Sequence, residues 1–330
     1  MKLQRLIVFF VLSGVMLLGA SLGIVAQESA GEFSPVLFVS GLEGGSGSTI
    51  GPDGALYVAE NAVGKISRVD PESGEVTTFA SGLPARVIHT GGVMDIAFID
   101  ETAYALVTLI GEAVGGTADG ISGIYRIDDE ESFTLIADLS EFSIDNPPAT
   151  DFFVPDGLQY AMEVFGEGFL VTDGHHNRVL QVTLDGDITE FMTFENVAPT
   201  GLEVSASSNI IYMAEAGPVP HLPENGKLTM FEPGSSTAIE VASGARLPVD
   251  VEYGCCGILY LLAQGEQEEG SPDGAPALPN TGSLVMVNSD GTFTELVAGL
   301  NLPTSFEFIG NTAYIVTLDG EIWTIEGLSL

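Results

Sequence analysis

From residue 34 to residue 326 the chain reads as short apolar runs in which hydrophobic and polar residues alternate, broken by Asp-Gly, Ser-Gly and Asn-Ser-Asp-Gly turns. Period-two alternation around such turns predicts antiparallel hairpins, and hardly any stretch carries a helical period. One hairpin recurs six times, as STIGPDGALYVAE, DIAFIDETAYALVT, YAMEVFGEGFLVTD, GLEVSASSNIIYMAE, DVEYGCCGILYLLA and SFEFIGNTAYIVT. Its marker positions are Tyr57, Tyr104, Leu170, Tyr212, Tyr260 and Tyr314, spaced by 47, 66, 42, 48 and 54 residues. A second strand pair follows most copies, as in KISRVDPESGEVTTFASGL and RVLQVTLDGDITEFMTF.

Four short strands per repeat of about 40–50 residues is the signature of a propeller blade, so the pattern predicts an all-β, six-bladed β-propeller of four-stranded antiparallel blades. A β-sandwich would leave the sixfold repetition unexplained. The last repeat stops after its third strand, GEIWTIEG. The missing fourth strand is available at the other end, in SPVLFVSGL, whose ending matches the fourth strands TTFASGL and ELVAGL. The N-terminal strand is therefore expected to close the ring in the last blade, residues 35–42 beside 321–326, which removes an open sheet edge.

Ahead of this pattern the chain begins MKLQRLIVFFVLSGVMLLGASLGIVAQESA. A positive start, an apolar core and a small-residue site ending at Ala26 predict a secretory signal peptide over 1–26. One propeller domain over 27–330 follows, with secretion to the periplasm or the medium. An uncleaved anchor is the alternative, opposed by Ser13, Gly14, Gly19, Ser21 and Gly23 within the apolar stretch. The whole chain has 9 basic and 46 acidic residues for a net charge of −37. Such a field repels phosphate backbones and anionic lipid, which removes nucleic acid and bare membrane as partners. Metal cations and cationic or neutral ligands stay open, beside a plain solubilising coat. With 17% charged and 45% hydrophobic residues the chain can bury a core and is not a disordered polyanion.

The two cysteines, Cys255 and Cys256, are adjacent in Gly254-Cys255-Cys256-Gly257, where the first repeat has the turn Gly51-Pro52-Asp53-Gly54. Neighbouring Cα atoms lie about 3.8 Å apart, below the usual disulfide range, so a vicinal bond is strained yet compatible with a tight turn. Free thiols, or pairing with another molecule, are the alternatives. The turn lies on the face opposite the long loops, which favours a structural clip over redox catalysis.

APTGLEVSASSNIIYMAEAGPVPHLPENGKLTMF, PDGLQYAMEVFGEGFLVTDGHHNRVLQVTLDG and LPVDVEYGCCGILYLLAQ resemble the secreted propellers of the ScyD/ScyE family. VTDGHHNRVLQV is also similar to an NHL repeat and, more distantly, to gluconolactonase-like and virginiamycin-lyase-like propellers. The resemblance covers most of the chain but rests on blade motifs. It implies an exported six-bladed propeller and leaves the chemistry undefined. The cysteine pair and His175-His176 depart from the family pattern.

In a propeller the loops joining blades, and those joining second to third strands, open on one face. Here they are long, among them SGLPARVIHTGGVMD, LSEFSIDNPPATDFFVPDG, EAGPVPHLPENG and the acidic Pro/Gly-rich insertion at 264–281. That face is expected to bind a small molecule, glycan or protein, with the propeller a monomer. His89, His175, His176 and His221 all fall in these loops and are the weak catalytic candidates, without HxH or HxxxH spacing for zinc. Asp95, Asp156 and Asp250 are placed at inner-strand starts and Glu60, Asp173 and Glu215 at second-strand ends. Asp95, Asp156, Glu215 and Asp250 are the candidate ligand-binding set, and the candidate oxygen ligands for a divalent cation of the Ca²⁺ type, the cofactor this pattern suggests. The competing reading is that strand-end acids accept backbone N–H bonds, favoured for Asp173. Arg86, Arg178, Lys227 and Arg246 are the basic residues expected near this rim. No Ser-His-Asp order, GxSxG or phosphate loop is present. Binding therefore leads, ahead of a metal-dependent lactonase or hydrolase and a lyase with a loop histidine as base.

Overall fold

The computed structural model describes residues 33–271 and 274–328. The expected leader at 1–26 lies outside them. Six four-stranded antiparallel sheets follow one another around a ring. Their inner strands are Ser48–Ile50, Gly92–Ile99, Gln159–Phe165, Pro199–Val204, Pro248–Tyr253 and Pro303–Ile309, which number blades 1 to 6. The ring closes as the alternation predicts: Val36–Ser40 pairs antiparallel with Glu321–Ile325 as the outer strand of blade 6, Val36 opposite Thr324 and Ser40 opposite Glu321. Val39 and Leu42 of this segment are buried.

A blade of alternating residues is apolar on both faces once neighbours flank it, so the core is divided among the blade interfaces. Six buried clusters occupy the six junctions. Tyr57, Ile66 and Val93 lie between blades 1 and 2, Tyr104 and Phe169 between 2 and 3, and Leu170 and Met213 between 3 and 4. Leu228 and Leu261 lie between 4 and 5, Tyr260 and Phe306 between 5 and 6, and Val316 and Leu56 between 6 and 1. All six marker residues are thus interface residues, Tyr314 within the cluster between blades 6 and 1 and Tyr212 half-buried against the one between blades 4 and 5, in second strands whose register is uniform: each marker stands opposite one inner-strand residue, from Thr49 opposite Tyr57 to Glu307 opposite Tyr314.

Near the axis each junction also carries a polar link. Ser46 Oγ donates to the Val93 carbonyl at 2.9 Å, Thr108 Oγ1 to Gln159 Oε1 at 2.7 Å, and Thr172 Oγ1 to the Thr200 carbonyl at 2.7 Å. Thr200 Oγ1 donates to the Pro248 carbonyl at 2.9 Å and Gln264 Nε2 to the Pro303 carbonyl at 3.2 Å. The Ser48 and Ser305 hydroxyls, 2.8 Å apart, complete the circle between blades 6 and 1. These buried bonds orient each blade against the next where apolar packing alone would let it slide.

The turn at 254–257 joins the first two strands of blade 5, on the short-turn side, with Cys256 at φ 65°. Both cysteines are free thiols, so the vicinal bond weighed from the sequence is not formed here. The trans peptide between neighbours holds the two Cα atoms closer than a relaxed disulfide accepts.

Removal of residues 27–42 should strip blade 6 of its outer strand and unseat Val39 and Leu42. Loss of two such core side chains predicts a fall in melting temperature of at least about 5–10 °C by circular dichroism. A truncated chain that melts like the full one would show that closure by this strand contributes nothing.

Candidate functional site

The inner strands converge on a central channel, and their alternation decides what lines it. The residues opposite the markers are Thr49, Ala97, Glu163, Glu203, Glu252 and Glu307 in blades 1 to 6; Thr49, Glu163, Glu252 and Glu307 line the channel, while Ala97 packs into the core between blades 2 and 3. Four consecutive blades therefore present glutamate at one level. Two residues earlier, on the same strand face and roughly 6–7 Å nearer the long-loop side, blades 2 and 5 present Asp95 and Asp250. Asp95, Glu163, Asp250, Glu252 and Glu307 line the channel cavity, whose eighteen lining residues include no Lys, Arg or His. The cavity holds about 40 Å³, room for an ion or two or three waters but not for an organic molecule.

Asp95 and Asp250 are held alike. Asp95 accepts from its own following amide, Ile96 N–H, at 2.9 Å and from Met162 N–H in blade 3 at 2.7 Å. Asp250 accepts from Val251 N–H at 2.9 Å and from Phe306 N–H in blade 6 at 2.9 Å. The blade before each aspartate leaves it space with a glycine. A Cβ on Gly47 would overlap Asp95 Oδ1, and one on Gly201 would lie 2.7 Å from Asp250 Oδ1. Blades 2 and 5 stand opposite in the ring order, so the upper tier has an approximate twofold pattern.

Burial without a counter-charge makes these acids weak, and for Glu163, Asp250, Glu252 and Glu307 neighbouring carboxyls add to it. Burial pushes Asp95 up to about 7, against the pull of the two amides. Burial likewise raises Glu203 to about 7, partly offset by a hydrogen bond with Glu252. Burial, then the neighbouring carboxyls, pushes Glu163, Glu252 and Glu307 well above the usual carboxylate range. Asp250 is raised by burial and by Asp95.

The structure brings together Asp95 and Asp250 of the four acids expected at one site, and separates the other two. Asp156 sits in the loop three residues before the blade 3 inner strand, buried, with Oδ1 unpartnered among the described residues, its carboxyl raised by burial. Glu215 ends the second strand of blade 4 and accepts from Thr229 Oγ1 at 2.8 Å. Glu60 is the same device in blade 1, bonded to Ser67 and paired with Lys65 at 3.0 Å. Asp173 takes Arg178 Nε at 3.1 Å and His176 Nδ1 at 3.2 Å. Burial pushes Asp173 up, but the interaction with His176, the Arg178 charge and the Leu158 N–H bond outweigh it and hold the carboxyl below its usual value. Asp173 Oδ1 also accepts from the Leu158 and His176 backbone N–H groups at 3.0 and 3.3 Å, so in this structure these three strand-end acids tie the second strand to its neighbours.

Three of the histidines brace loops. His175 Nε2 accepts from Phe153 and Val154 N–H at 2.8 and 3.0 Å. His176 is buried, its Nε2 2.9 Å from the Val154 carbonyl and its Nδ1 3.1 Å from Arg178 Nη2. His221 Nδ1 lies 2.8 Å from the Gly217 carbonyl. His89 is exposed in the loop between blades 1 and 2. None of the four lines the channel cavity. Arg178, expected near the rim, is fully buried and reaches Ser143 and Glu190. Arg246 stays at the surface and pairs with Glu266.

The long-loop face has its own signature. Of fourteen exposed large apolar side chains among the described residues, nine lie in its loops, including Val87, Ile88, Phe152, Phe153, Val219 and Leu222. Phe153, 67% exposed, stacks its ring edge-on with His175 at 4.2 Å.

No family model matches the sequence, and no curated protein matches it. In structure the chain is similar to a gluconolactonase from Xanthomonas campestris (12% identity, 91% of this chain and 92% of that one, TM-score 0.62). It is also similar to the PQQ-bound aldose sugar dehydrogenase of Streptomyces coelicolor (13%, 90% and 98%, 0.58) and to virginiamycin B lyase from Staphylococcus aureus (14%, 90% and 99%, 0.53). At such identities the likeness shows the six-bladed fold and nothing of the chemistry.

The carboxyl tiers predict an unusual pH dependence. A carboxyl with a raised folded-state pKa adds stability that is full below its unfolded value near 4 and is lost as pH rises through the folded value near 7. Asp173, shifted the other way, adds stability that is lost as pH falls below about 4. The melting temperature should therefore peak in the mildly acidic range and decline towards pH 8, and Glu203→Gln should flatten that decline. A melting temperature that rises from pH 5 to pH 8 would contradict the assignment.

Proposed function

We propose that the protein is an exported binding propeller that takes an organic cation on its long-loop face, with the positive group at the mouth of the acid-lined channel. The carrying observation is the lining itself, two tiers of carboxyls with no basic side chain among them. The cavity of about 40 Å³ accepts an ammonium group and excludes the remainder of a ligand, which would rest among apolar side chains such as Val87, Ile88 and Phe153. Export rests on the leader pattern at 1–26, and the blade motifs that resemble ScyD/ScyE propellers are compatible with it.

The donor arrangement favours an ammonium group over a chelated metal ion. Among the described residues no three His, Cys, Asp or Glu side chains stand close enough together to hold a metal ion as they are. An ammonium needs fewer converging oxygens, and carboxyls raised by burial, with crowding added for some, ionise when a cation supplies the missing counter-charge.

Spermidine is a suitable probe, with CaCl2 and glutarate as comparisons in a thermal-shift titration. Spermidine should raise the melting temperature in a saturable way, since a ligand of the folded state alone stabilises by about 2.7 kcal/mol at a hundredfold excess over its Kd. The Asp95→Asn/Asp250→Asn variant should lose the response, and glutarate should give none. Saturable stabilisation by Ca²⁺ that EDTA reverses, without a spermidine response, would transfer the case to the metal-dependent reading. No response to any cation would overturn the proposal.

A further inference from the structure

The inner strands of blades 2 to 6 share an irregularity near their starts. Their pairing with the second strand slips by a β-bulge, and Met94, Tyr160, Thr200, Val249 and Thr304 fall within it, each three residues before the position opposite the marker. This ring stands one residue nearer the long-loop side than the aspartate tier. A bulge breaks the alternation of a strand and re-aims a side chain. Two of the five tie strands together. Thr200 Oγ1 donates to the Ala214 and Pro248 carbonyls at 3.1 and 2.9 Å, and Thr304 Oγ1 donates to the Val316 carbonyl at 3.2 Å. Met94 and Val249 are buried.

Tyr160 is placed differently. Gln159 pairs with Asp173 and Met162 with Val171, so Tyr160 and Ala161 together stand opposite Thr172. Ala161 N–H turns to the Thr172 hydroxyl at 3.0 Å. A regular strand would put Tyr160 on the face of Met162, which packs between blades 2 and 3. Instead Tyr160 is half-buried and lines the channel cavity. It packs against the cluster that contains Val249 of blade 5, whose buried members include none from blades 2 or 3. The ring therefore leans from blade 3 towards blades 4 and 5, above the two aspartates. Burial, then the charges of Asp250 and Asp95, push its phenol above the usual range, so the hydroxyl lies in the field of both. Among the described residues it is the one aromatic side chain that lines this cavity.

We infer that Tyr160 is the specificity-determining residue of the channel mouth: its ring narrows the way to Asp95 and Asp250, so that an unbranched primary ammonium reaches them and a quaternary ammonium does not. The inference deepens the binding role proposed above and rests on it for the ligand, while the narrowing is measured without one. A primary ammonium has a slim end with three N–H donors for the carboxylates. A trimethylammonium group has no donor and meets the ring with its methyls. The ring also attracts the slim cation through its π face.

The first arm of the test reads access alone. The folded protein is treated with a water-soluble carbodiimide and glycine ethyl ester, and labelling of Asp95 and Asp250 is followed by mass spectrometry. Tyr160→Ala should speed that labelling about fivefold or more, and Tyr160→Phe, which keeps the ring, should leave it unchanged. Labelling of Asp70, in a turn on the other face, should be the same in all three chains. The second arm compares 1,4-diaminobutane with its bis(trimethylammonium) counterpart by calorimetry. The full chain should prefer the diamine about tenfold or more, and Tyr160→Ala should reduce that preference to about twofold or less. Tyr160→Phe should keep it. Should Tyr160→Ala fail to fold, Tyr160→Thr, with the residue that blades 4 and 6 hold at this bulge, takes its place with the same outcomes. Equal labelling in the full chain and the ring-deleted variant would overturn the inference, as would an unchanged preference. Faster labelling in a variant pair of which neither chain binds either compound would leave Tyr160 as the guard of the mouth and remove the proposed ligand.

Discussion

Each blade of this protein is a sheet with two apolar faces, and neither face can be covered except by another blade. That constraint accounts for the ring. Six interface clusters replace a single core, and Val36–Ser40 is recruited from the far end of the chain because blade 6 would otherwise expose an edge. Buried hydroxyl and amide links at each junction then fix the orientation that apolar contact leaves loose.

The same geometry creates the site. Six inner strands that point one face at a common axis leave a narrow well there, and residues facing it have no apolar layer to join. In blades 3 to 6 that position is glutamate, with Asp95 and Asp250 one step above. Like charges so close are tolerated because the acids retain protons, because backbone amides hold the two aspartates, and because Gly47 and Gly201 leave them space. The arrangement is stable when protonated, and in the function proposed here it exchanges protons for a cation.

Much of the architecture was legible in the sequence. The turn dipeptides, the marker residues and the orphan strand at residues 35–42 state the blade number and the closure, since strand alternation and turn chemistry are local properties. The glutamate column was harder to read. Glu163 precedes its marker by seven residues, Glu203 by nine, Glu252 by eight and Glu307 by seven. Hairpin turns of different length shift the linear spacing while pairing keeps the register, so the column emerges only when the strands are paired. Asp156 and Glu215 were grouped with Asp95 and Asp250 for a related reason. A position near a strand end does not reveal which way the side chain points, and Glu215 turns to Thr229 rather than to the axis.

Proton exchange for a cation is the claim on which the functional account stands. It is tested most directly by calorimetric titration of spermidine at pH 6.5 in two buffers of different ionisation enthalpy, which counts the protons released per ligand bound. With Asp95 and Glu203 titrating at about 7, binding should release about one proton or more. Binding with identical heats in the two buffers would mean that the channel carboxyls are already ionised, and would contradict the account.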